Sequence, residues 1–131
     1  MSYSKRKDKK VVWVNGCFDV LHRGHIELFK YAKSQGDYLV VGIDTDDRPF
    51  NKLEDRVIML ESIKYINEVV FFDSKLDLEN KILLSGADVI VVGKEYEKKV
   101  VIGSELVDEV KFFERIDDYS TTKILEHSSG G

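Results

Sequence analysis

Short apolar runs alternate along this chain with segments whose apolar residues recur at helical spacing. The runs are VVWV from Val11, DYLVVGI from Asp37, EVVFF from Glu68, DVIVV from Asp88 and EVKFF from Glu109, and they read as five strands. Between them, Gly24 to Ser34, Glu54 to Tyr65 and Leu76 to Leu84 read as helices. Val89 to Val92 is apolar on both faces of a strand, so helices must cover both sides of the sheet. That arrangement requires parallel strands joined by right-handed crossovers. The pattern therefore predicts a doubly wound α/β fold with a parallel sheet of about five strands. The sequence contains no internal repeat, low-complexity tract or linker.

In a doubly wound sheet, ligands sit beyond the carboxyl ends of the strands, where the strand order reverses. The stretch NGCFDVLHRGHIELF, Asn15 to Phe29, falls where the first strand passes into the first helix. Its spacing lets His22 and His25 address the same space beyond the helix N-terminus. Free backbone N–H groups and the positive end of the helix dipole favour anions there, and imidazoles add hydrogen bonds. The glycines do not match the known phosphate loops. Gly16 and Gly24 are too far apart for a dinucleotide fingerprint, and no G-K-[ST] follows to make a P-loop.

Composition narrows the function classes. A chain of 131 residues, 43% hydrophobic, suffices for one compact core and not for two. The expected organisation is a basic tail at 1–10, one domain at 11–127 and a flexible C-terminal tail at 128–131. A formal charge of −4 argues against nucleic-acid binding, and the one basic run, SKRKDKK from Ser4, reads as solvated tail. With Cys17 as the single cysteine there is no intrachain disulfide, which suits a reducing cytoplasm. No stretch reaches the ~18 consecutive apolar residues of a membrane span, so no membrane role is expected. Asp44, Asp46 and Asp47 form an acidic cluster, read as turn residues and not as a metal site.

Gly16, Phe18, Asp19, His22, Gly24 and His25 spell G-x-F-D-x-x-H-x-G-H, and with this motif the chain resembles the cytidylyltransferase-like nucleotidyltransferases. Three further segments carry the resemblance. RIDDYSTTKI, Arg115 to Ile124, resembles the family's second signature, an arginine followed at fixed spacing by Ser-Thr-Thr-Lys. RPFNKLEDR, Arg48 to Arg56, resembles R-P-x-N-x-x-E-x-R of heptose-1-phosphate adenylyltransferase domains. VVGKEY, Val91 to Tyr96, resembles the strand-end G-x-[DE]-[WY].

The resemblance implies a Rossmann-like nucleotidyltransferase that moves a nucleoside monophosphate from a triphosphate to a phosphorylated sugar or polyol and releases pyrophosphate. It implies His22, His25 and Lys123 as catalytic residues. It implies Gly16, Phe18, Gly24, Arg56, Gly93, Glu95, Tyr96, Arg115, Ser120, Thr121 and Thr122 as nucleotide-binding residues, with Asp19 supporting the histidine turn. Magnesium, held mainly by the nucleotide's phosphates, is the implied cofactor, and a homodimer the implied assembly. The larger share of matching residues points to adenylyl transfer to a heptose-1-phosphate-like sugar. The spacing of Arg115 points instead to cytidylyl transfer to glycerol-3-phosphate. The strand-to-Arg48 segment GIDTDDRPFNK is shorter than in heptose-type relatives, which leaves a catalytically weak nucleotide-binding module as a third reading.

Overall fold

A computed structural model describes residues 8–45 and 52–114. The strands are β1 (Val11–Gly16), β2 (Tyr38–Asp44), β3 (Glu68–Phe72), β4 (Val89–Gly93) and β5 (Glu109–Phe113). All pairs are parallel, in the order β3-β2-β1-β4-β5. The helices are α1 (Arg23–Ser34), α2 (Leu53–Glu61) and α3 (Lys75–Ser85). This is the expected doubly wound sheet.

Alternation along the central strands divides the core into two layers. Val12 and Val14 of β1, with Leu39, Val41 and Ile43 of β2, meet Phe29 and Ala32 of α1 and Leu60 of α2 on one face. Val11 and Trp13, with Val40 and Ile90, meet Leu78 and Ile82 of α3 on the other. Each buried side chain of this size contributes ~1.5–3 kcal/mol over exposure, so register is strongly specified: a one-residue slip would exchange the layers. Chain entry into β1 is held by Asp88, whose carboxylate accepts the Val11 N–H at 2.9 Å.

The second helix departs from its expected length, ending at Glu61 and not at Tyr65. Ser62 caps it, its hydroxyl donating to the Ile58 carbonyl at 2.9 Å. The chain then turns so that Ile63 and Ile66 reach the core, an arrangement that continued helix would not allow. Asn67 closes the turn, its side-chain oxygen accepting the Leu39 N–H at 2.9 Å. Among the described residues, no helix is long and apolar enough to cross a membrane.

Strand β1 lies between β2 and β4, and its connection leads to β2 while β4 arrives from the other side. The carboxyl ends of β1 and β4 therefore form the point where strand order reverses.

Candidate functional site at the end of β1

His22 is the N-cap of α1, with extended backbone. Its Nδ1 accepts the Gly24 N–H at 2.9 Å, and His25 Nδ1 accepts the His22 N–H at 3.3 Å. The two imidazoles thus form a reciprocal capping box, a role more often filled by Ser or Thr with Glu or Gln. A ring nitrogen that accepts an N–H carries no proton, so the neutral rings bear hydrogen on Nε2. The ring centroids lie 4.1 Å apart. Two imidazoles consequently stand side by side at the positive end of a helix, a geometry suited to phosphoryl oxygens.

The turn before the helix is built around Phe18. Its φ of 51° is left-handed, a conformation that costs a non-glycine residue ~1–3 kcal/mol unless its surroundings hold it. The ring is buried edge-on against Phe29 at 5.3 Å and against His25 at 5.8 Å. It lies directly under Gly16, where a Cβ would stand 3.0 Å from Phe18 Cζ, so a side chain at Gly16 would displace the ring. Arg56 of α2, 1% exposed, completes the support. Its Nη1 donates to the Cys17 carbonyl at 3.0 Å and to the Asp44 carbonyl at 2.8 Å. One guanidinium therefore ties the end of β1 to the end of β2.

These elements enclose a cleft of about 430 Å³ at the reversal point. Gly16, Phe18, Asp19, Gly24 and His25 line it from the turn, and Gly93, Glu95 and Tyr96 from the end of β4. His22 is exposed beside His25. Among the described residues that line the cleft there is no lysine or arginine, and both ionisable carboxyls, Asp19 and Glu95, are acidic. Among the described residues, the helix end supplies the positive potential here. Lys123, Arg115, Ser120, Thr121 and Thr122, expected to contribute, lie outside the described residues, as do Arg48, both tails' ends and two members of the acidic cluster, Asp46 and Asp47. Arg56, expected to contact nucleotide, is instead seen inside the fold with its Nη1 on backbone carbonyls.

Three roles were not foreseen: the Cys17 carbonyl as the anchor for Arg56, and Trp13 and Asn15 as a bonded pair at the floor of the site. Only Asn15, a lone amide ending an apolar strand, left a trace in the sequence. A second, smaller cleft adjoins the first and shares Asn15, Gly16, Gly93 and Tyr96 with it.

Comparison with known proteins agrees with this geometry. The model of the family described as cytidylyltransferase-like matches residues 13–127. The bifunctional protein HldE of Campylobacter fetus subsp. fetus is 41% identical over 134 residues, covering 95% of this chain and 29% of that protein. HldE of Wolinella succinogenes is 38% identical over 135 residues, covering 96% of this chain and 28% of that protein. The chain thus spans less than a third of the curated relatives it matches. The crystal structure of a lipopolysaccharide core biosynthesis protein from Thermoplasma volcanium superposes with a TM-score of 0.69 at 25% identity, covering 83% of this chain and 99% of that one. Pantothenate synthetase from Thermus thermophilus, 13% identical with a TM-score of 0.58 over 82% of this chain and 56% of that one, shares the fold.

Proposed function

Because this chain belongs to the cytidylyltransferase-like family, we propose that it transfers a nucleoside monophosphate from a nucleoside triphosphate to a phosphorylated sugar, releasing pyrophosphate. The observation that carries this reading is the histidine capping box, which sets two imidazoles side by side at one helix end, His25 in the lining of the cleft at the switch point and His22 exposed beside it. The extent of the match to heptose-1-phosphate adenylyltransferase domains supports adenylyl transfer to a heptose-1-phosphate-like acceptor.

An acceptor phosphate is already an anionic nucleophile near neutral pH, so its oxygen attacks the nucleotide's α-phosphorus without a general base. The bond from α-phosphorus to the bridging oxygen breaks, and its electron pair leaves on pyrophosphate. The protein's task is in-line positioning and stabilisation of charge on the α-phosphate and the leaving group. His22 and His25 donate to those oxygens, and the α1 N-terminus adds its dipole. Each imidazole donor contributes ~2–4 kcal/mol to the barrier reduction, the usual magnitude for one preorganised donor. Phe18, Gly16 and Arg56 hold the turn that aims them.

The magnesium that the family resemblance implies would be held mainly by the nucleotide's phosphates, with Asp19 and Glu95 as the carboxylates lining the cleft beside them. When bound, such an ion would supply charge neutralisation on the phosphates. The exposed single thiol of Cys17 suits a reducing cytoplasm.

The test is pyrophosphate release with magnesium, each of the four ribonucleoside triphosphates, and heptose-1-phosphate or glycerol-3-phosphate. Release with ATP and heptose-1-phosphate, lost in His22→Ala and His25→Ala, is the expected result. Release with CTP and glycerol-3-phosphate would replace the substrates, and nucleotide binding without release from any pair would leave a binding module.

A further inference from the structure

Trp13 and Asn15 occupy alternate positions of β1 and so face the same side, that of α3. The indole Nε1–H donates to Asn15 Oδ1 at 2.9 Å. Trp13 is fully buried, and its ring packs so closely on β2 that a Cβ at Gly42 would stand 2.5 Å from Cζ2. The indole has no room to turn. An indole nitrogen only donates, so the carboxamide must give Trp13 its oxygen and present its Nδ2 elsewhere. Among the described residues that Nδ2 meets no protein acceptor. A half-buried donor held in this way gains free energy when a ligand accepts from it.

The second cleft shows what kind of ligand fits. It measures about 240 Å³, and apart from Asn15 and Tyr96 its side chains are aliphatic, among them Leu78, Val101 and Ile102. Among the described residues its lining offers no charge to pair with a phosphate and few polar side chains for a sugar's hydroxyls. A flat, largely apolar ring with an acceptor atom on its edge matches both its lining and its single fixed amide.

Resting on the transferase reading, we propose that Asn15 is a substrate-specificity residue whose Nδ2 donates to an acceptor atom on the edge of the nucleotide's base, seated in the second cleft. Trp13 is its positioning residue, deciding which end of the amide the base meets. The triphosphate then extends past Gly16, which lines both clefts, toward the histidine turn.

Trp13 is the only tryptophan, so its emission reports on the site directly. The experiment titrates wild type, Asn15→Leu and Asn15→Asp with each of the four ribonucleoside triphosphates and with inorganic tripolyphosphate, which has no base. Both variants should bind the preferred nucleotide about tenfold more weakly, the usual cost of one lost hydrogen bond to a ligand edge. Asn15→Leu should bind tripolyphosphate like wild type. Asn15→Asp keeps an oxygen for the indole and so preserves the fold; its loss for the nucleotide should exceed its loss for tripolyphosphate. Equal losses for nucleotide and tripolyphosphate in both variants, or no loss for any nucleotide, would overturn the assignment. Wild type that binds no triphosphate would overturn the transferase reading itself, a result distinct from intact binding by both variants.

Discussion

Arg56 and Cys17 are distant in sequence, yet the buried guanidinium of one holds the backbone carbonyl of the other at 3.0 Å. That carbonyl belongs to the peptide unit preceding Phe18, whose left-handed φ starts the histidine turn. The same Nη1 reaches Asp44, so removing it leaves two carbonyls short of a donor. Arg56→Met should destabilise the domain by ~1–3 kcal/mol in urea denaturation, since it removes the one guanidinium nitrogen shared by two part-buried carbonyls. Arg56→Lys, able to reach one carbonyl, should lose less, and a variant as stable as wild type would remove the clamp.

The capping box separates the histidines' two jobs. Asn and Gln cap as well as these imidazoles do, but their amide N–H groups do not stand where the imidazole Nε2–H stands. His22→Asn and His25→Gln should therefore keep thermal stability while turnover falls by about a hundredfold or more. His22→Ala should lose turnover and also ~0.5–2 kcal/mol of stability. Equal destabilisation by Asn and Ala would show that the side-chain caps contribute nothing.

Gly16 is required by its neighbour's ring. Gly16→Ala places a methyl 3.0 Å from Phe18 Cζ, and moving that ring shifts its edge contact with His25. Overpacking of this kind costs ~1–3 kcal/mol. The measurable outcome is a lower melting temperature with a larger proportional loss in kcat than in nucleotide affinity. A fall in affinity alone would place the fault in binding instead.

Gly42 tests the far side of the sheet. Gly42→Ala forces the Trp13 indole aside, because the added methyl would stand 2.5 Å from Cζ2. Stability should fall by ~1–3 kcal/mol and the lone tryptophan's emission should shift. If Trp13 orients Asn15, nucleotide affinity falls with it; unchanged affinity with shifted emission would uncouple the two.

The legible part of this molecule was what repeats or binds locally. Strand order along the chain, most helix positions and the histidine turn all follow from apolar period and from residues close in sequence, such as His22 and His25. The early stop of α2 was not legible, because Ile63 and Ile66 fit a helical period as well as they fit the turn that carries them into the core. Arg56 illustrates the deeper limit. In its helix it reads as a surface or ligand-binding cation, and only the pairing of β1 beside β2 brings together the carbonyls that hold it.

The amino-acid sequence by itself determined the alternating α/β plan and the histidine turn, because hydrophobic period and helix capping act over a few residues. Tertiary structure alone decided that Arg56 faces inward, that Phe18 fills the space Gly16 leaves, and that Trp13 aims Asn15 between two clefts. Each depends on groups brought together by strand pairing across the sheet, and their contact distances exist only once β1 lies between β2 and β4.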